Sequence, residues 1–126
     1  MERLARAVYG VAAVAGVGLG VLAVFAPATI LPEAVGIPLA GHLLREQGAG
    51  YVFIGLMALW CLRHFDRRRQ VHYAFLVFTG LLAVIHWMGY FSSGHYAWAA
   101  LANTVPFLAF VVTAPISAAD HPSRQR

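Results

Sequence analysis

The sequence predicts an all-α fold, an integral-membrane antiparallel four-helix bundle with both termini cytoplasmic. Three observations lead there. The first is a shortage of charge: 60% of the 126 residues are hydrophobic and 11% are charged, against about 25% charged in a soluble domain, and mean hydropathy is +0.70. The second is the place of the gap, because residues 70–119 contain no Asp, Glu, Lys or Arg. The third is length. A membrane-crossing helix takes roughly 20 apolar residues, so the chain has room for four spans in one domain, 1–126, with short connections. These numbers exclude a soluble enzyme, a nucleic-acid-binding domain and a disordered tail; no enzyme activity and no nucleic-acid partner are expected.

The first span is expected at 7–26. Its 20-residue apolar run exceeds the core of about 7–15 residues typical of a signal peptide, so it reads as an uncleaved helix stopped by Pro27. Gly16 and Gly20, four apart, let another backbone approach closely. A connection at 27–41 follows, broken by Pro27, Pro32, Gly36 and Pro38. Its apolar centre (Ile30, Leu31, Val35, Ile37, Leu39) suits the headgroup zone. The second span is expected at 42–64. Its uncharged core, 47–62, has only 16 residues, so Arg45 and Glu46 must sit in the outer interface or against protein. Gly48 and Gly55, seven apart, share one side of this helix, with Glu46, Gly50, Met57, Trp60 and His64 roughly opposite. Cys61 cannot form an intrachain disulfide, being the single cysteine.

The third span is expected at 71–91. His72, Thr79 and His86 recur every seven residues and share a face with Ala83 and Gly89, while Val77, Leu81, Val84 and Met88 suit lipid. A turn at Ser92, Ser93 and Gly94 leads to the fourth span, 95–118, so these two helices are antiparallel neighbours. There Asn103, Phe110 and Ser117 repeat every seven residues, and Leu101, Val105, Leu108 and Val112 face away. Pro106 removes one backbone hydrogen bond and is expected to bend this helix as part of the packing set with Gly16, Gly20, Gly48 and Gly55.

Orientation follows from the basic residues, all nine of them Arg. Arg3, Arg6, Arg63, Arg67, Arg68, Arg69, Arg124 and Arg126 fall on one side and Arg45 alone on the other, which the positive-inside rule reads as cytoplasmic termini. The net charge of +4 is thus a topology signal. Trp87, Tyr90, Tyr96 and Trp98 mark the outer interface. The run Arg63, Arg67, Arg68 and Arg69 on the inner side is expected to meet lipid headgroups or an acidic partner loop.

Polar groups inside a membrane are costly and mark candidate sites. His86 lies about 8 Å from the outer end of its span at 1.5 Å per residue, and Asn103 at a similar depth. With Arg45, Glu46 and His95 they form an expected outer polar cluster. A carboxylate beside an imidazole can relay protons, hydrogen-bond a quinone headgroup, or lock helices together. No catalytic residue and no metal site is expected, because the six histidines lack ligand spacing. Haem is not expected either, since no two histidines sit at one depth on facing helices.

The segment 44–58, Leu-Arg-Glu-Gln-Gly-Ala-Gly-Tyr-Val-Phe-Ile-Gly-Leu-Met-Ala, resembles the Arg/Glu-then-Gly helix of the DoxX-like family, and the four-span length is similar. That family comprises small bacterial four-helix membrane proteins. Some are membrane subunits associated with quinone-linked sulfur or thiol oxidation. The resemblance extends to Arg45 and Glu46 and implies quinone contact or assistance to electron transfer. From the residues themselves the expectation is an accessory, non-catalytic subunit of a larger complex in the bacterial inner membrane, of respiratory or photosynthetic type. The alternatives are the DoxX-like role and a small transporter working as a homo-oligomer.

Overall fold

Four long helices order the chain in the computed structural model, which describes residues 2–32, 37–95 and 97–119 and the side chains of all of these but 38 and 115–119. Helix α1 is Glu2–Phe25, α2 is Pro38–Arg63, α3 is Arg69–Ser93 and α4 is Ala97–Ala119. No strand occurs among the described residues, so the fold is all-α. The expected features at Val35, Gly36, Tyr96, His121, Arg124 and Arg126, and the Ser117 side chain, lie outside the described residues.

Each boundary has a local cause. Helix α1 starts five residues before the apolar run because its first turn carries an acid, which suits the positive end of the helix dipole; Glu2 also meets Arg6 at 2.9 Å. It ends at Phe25, and Pro27 opens a single 3-10 turn, Pro27–Thr29. Helix α2 begins at Pro38, four residues before the expected start, since proline at the first helical position loses no intrahelical donor. A second 3-10 turn, Phe65–Arg67, joins α2 to α3. Gly94 ends α3 in the left-handed conformation, φ 69°, which glycine adopts without a Cβ clash. Its N–H donates to the Tyr90 carbonyl at 2.7 Å. Helix α4 starts two residues later than expected, leaving His95 in the turn.

Three helices are long and apolar enough to cross a membrane: α1, α3, and α4 over Ala97–Ala114. Helix α2 has the length but not the same apolarity, because His42, Arg45, Glu46 and Gln47 crowd its first half. The second of the four expected spans, the one with the shortest uncharged core, is thus a mixed helix beside three apolar ones.

The chain divides into two compact units, residues 9–65 and residues 2–8 with 66–119. In the first, α1 and α2 run antiparallel at backbone contact. A Cβ placed on Gly16 would lie 2.9 Å from the Gly55 Cα, and one on Gly20 would lie 2.6 Å from the Gly48 oxygen. A Cβ on Gly48 would meet that of Ala23 at 2.7 Å, and one on Gly55 would lie 2.6 Å from the Val17 nitrogen. Only glycine permits such an approach. Tyr9 packs edge-on against Phe65, centroids 6.4 Å apart, and both are buried with Ala58 and Cys61.

In the second unit α3 and α4 are antiparallel. Phe75 stacks on Phe110 at 5.1 Å, and Phe107 lies against Gly80, where a Cβ would come within 3.2 Å of the ring. His72, Phe75, Thr79 and Ala83 form the buried side of α3. Val77, Leu81, Val84 and Met88 are exposed, as are Leu101, Val105, Leu108 and Val112 on α4. Two expected packing residues differ. Gly89 and Pro106 are exposed; at the level of Pro106 the contact is made by the neighbouring Phe107 on Gly80.

Candidate functional site

The residues of the expected outer cluster divide between the two units. Arg45 and Glu46 lie on α2 in one, and His86, His95 and Asn103 in the other. On α2, Arg45 and Glu46 are exposed. The Glu46 carboxylate accepts from His42 Nε2 at 3.2 Å, one helical turn away, with the two side chains 61% and 67% exposed. Gln47 donates to Tyr51 Oη at 3.1 Å. An exposed pair one turn apart on a helix contributes only ~0.3–0.5 kcal/mol in water, so the His42–Glu46 contact does not hold the unit together. It places an imidazole, a carboxylate and a guanidinium on one turn of one helix, a set able to exchange a proton or bind a polar group. His42 was absent from the expected cluster, although its spacing of four from Glu46 is the signal that finds such pairs.

In the other unit, His86 and Asn103 are half-buried on α3 and α4. Each turns back on its own helix. His86 Nδ1 lies 2.8 Å from the Leu82 oxygen; a carbonyl only accepts, so Nδ1 carries the proton. Asn103 Nδ2 donates to the Ala99 oxygen at 2.8 Å. Between them Trp87 Nε1 donates across the hairpin to Thr104 Oγ1 at 2.9 Å, and Thr104 donates to the Ala100 oxygen at 2.8 Å. His95 is exposed in the turn, its Nδ1 2.6 Å from the Ser93 oxygen.

The cross-helix polar contact at the other end of this hairpin involves His72. Its ring is fully buried, and Nε2 donates to the Phe110 carbonyl at 3.0 Å. Thr113, also buried, donates to the Ala109 oxygen at 2.9 Å. The spacing of seven places His72 on the inner face of α3. Its acceptor is a main-chain oxygen, which no residue type announces.

The basic run splits. Arg63, Arg67 and Arg69 are exposed, as headgroup contact requires. Arg68 is 1% exposed, so the expectation that it docks lipid or a partner with the others is corrected: it lies one turn from the buried His72 on the same helix side and belongs to the interior. Trp60 stacks on His64 at 5.0 Å near the C-terminal end of α2. Among the described residues no group of three or more His, Cys, Asp or Glu could hold a metal ion.

Residues 4–115 match the model of a family described as Domain of unknown function (DUF4345). No curated protein and no solved structure matches the chain.

Proposed function

The chain belongs to the DUF4345 family, a membership that carries no activity with it, and we propose from its own residues that it is a small accessory subunit of a larger complex in the bacterial inner membrane. In this proposal all four helices cross, closing an antiparallel bundle with both termini cytoplasmic, and lipid contacts come from the apolar faces of α1, α3 and α4.

One observation carries it: α2 shows a mixed polar face at the depth of an apolar helix. The glycine contacts pair Gly48 with Gly20 and Ala23. Arg45 and Glu46 therefore lie beside the last turn of α1, about 3–5 Å beyond Gly48 at 1.5 Å per residue. The charge-free part of α1, residues 7–25, is about 28 Å long, close to the roughly 30 Å hydrocarbon thickness. Both charges thus fall within about a turn of the outer hydrocarbon edge. Arg45 can snorkel to headgroups; the shorter Glu46, tied to His42, reaches less far. Protein is the better solvent for that face. Extraction in mild detergent followed by native gel electrophoresis tests this: co-migration with larger membrane proteins is expected, and a lone monomer overturns it. An isolated homodimer would instead favour a small oligomeric transporter.

A second role, quinone contact of the DoxX-like kind, draws on the turn that holds His42, Arg45 and Glu46. It requires that Glu46→Gln abolish quinone reduction in membranes where the complex still assembles.

A further inference from the structure

The exposed side of α2 carries a repeat that the packing against α1 does not use. His42, Glu46, Ala49, Phe53, Leu56 and Trp60 follow one another at alternating intervals of four and three residues. That is the seam along which two helices wind together. His42, Glu46, Ala49, Phe53 and Leu56 are exposed and Trp60 is half-buried. Phe53 is 62% exposed. The glycines that meet α1, Gly48 and Gly55, lie on the opposite side. The seam runs about 27 Å along the helix axis, nearly the thickness of the hydrocarbon.

We propose that this seam pairs in parallel with the same seam of a second copy of the chain, Arg45 of each copy lying against Glu46 of the other. The proposal rests on the view that the α2 face docks protein, and it names the first partner. Charge decides the occupant. In a parallel pair, seam positions at one level face each other across a two-fold axis, and the residue just before a seam position flanks it. Glu46 is the seam position and Arg45 its flank. Two-fold pairing therefore puts each guanidinium beside the other copy's carboxylate. The layer holds two Arg and two Glu and is neutral. Against lipid the same groups would face hydrocarbon or its edge; against an apolar helix they would stay uncompensated. Gly50, one turn from Glu46, has no atom within 4 Å of an added Cβ, which leaves room beside that layer for the long Arg45 side chain. His42 donates to Glu46 from one turn away and fixes the carboxylate that the second copy's Arg45 would meet. In register, Ala49 faces Ala49, then Phe53 faces Phe53 and Leu56 faces Leu56, an apolar continuation with small side chains nearest the charged layer.

Cysteine cross-linking in native membranes tests this in the full chain. In a Cys61→Ser background, Ala49→Cys should give a species of twice the chain mass on copper–phenanthroline oxidation, and Val14→Cys, exposed on α1, should not. Arg45→Glu alone and Glu46→Arg alone should each abolish the doubled band. The double exchange Arg45→Glu with Glu46→Arg should restore it, which separates pairing from misfolding. A doubled band that survives both single reversals, or one equally strong from Val14→Cys, overturns the charge-matched pairing. If Ala49→Cys links only to a larger protein, the pairing is wrong and the subunit role stands. If it gives no doubled band, the pairing is wrong, and the subunit role is decided separately by native-gel co-migration, which needs no thiol on the partner.

Discussion

His72 and His86 sit fourteen residues apart on the same side of α3, and the structure gives them different work. The His72 ring crosses to α4 and donates to the Phe110 carbonyl while fully buried; His86 donates to its own helix. Interhelical side-chain hydrogen bonds in membrane proteins average about 0.6 kcal/mol and reach about 1.7, and an emptied ring site adds a cavity cost. His72→Ala should therefore cost about 2 kcal/mol, whereas His86→Ala should stay within about 0.5 kcal/mol. Trp87→Phe, which removes the donor to Thr104 together with part of a half-buried ring system, should cost about 0.6–2 kcal/mol. Reversible unfolding in mixed micelles measures all three, and equal losses for the two histidines would contradict the assignment. The spacing of seven in the sequence marked which side of α3 these residues share. It could not rank them, because the ranking depends on where a main-chain carbonyl of α4 falls. The outer cluster was legible only as a set of polar residues: Asn103 and His86 satisfy themselves locally, and the partner of Glu46 is His42, a turn away on its own helix.

At the scale of the element, the pairing of α1 with α2 is a contact between backbones. A methyl group on Gly20 would press on the Gly48 oxygen and on Val52 at 2.6–2.7 Å, so the helices must part. Gly20→Ala is expected to cost about 1–3 kcal/mol, the usual range for overpacking. Gly18 and Gly10 meet nothing within 4 Å. Gly18→Ala should be neutral, or stabilising by up to ~1 kcal/mol through helix propensity, and the pair of variants compared in one unfolding assay separates contact from propensity. Gly94→Ala should destabilise the α3–α4 turn by about 1 kcal/mol, since its φ of 69° disfavours a Cβ. Gly16, Gly20, Gly48 and Gly55 could be picked out in the sequence because only small residues let helices touch. The helix ends were harder to read. Hydropathy measures the apolar run, while α1 and α2 continue into a charged turn at Glu2 and a proline start at Pro38, both of which favour helix without adding apolarity.

At the scale of the whole molecule, α2 is the element on which the proposed function turns. Hydropathy marks α1, α3 and α4 as able to cross a membrane; in the proposed topology the chain between α1 and α3 crosses as well, which leaves eight Arg on one side against one on the other. An even number of crossings keeps Arg3, Arg6 and the 63–69 run on one side. An α2 lying flat on the surface would separate them. The decisive measurement is single-cysteine labelling in a Cys61→Ser background with a membrane-impermeant maleimide, applied to spheroplasts and to inverted vesicles. Thr29→Cys reports the connection before α2 and Asp66→Cys the connection after it; both positions are exposed. Position 29 should label only from outside and position 66 only from inside. Labelling of both positions from the same side would show that α2 does not cross, and would contradict the proposed topology.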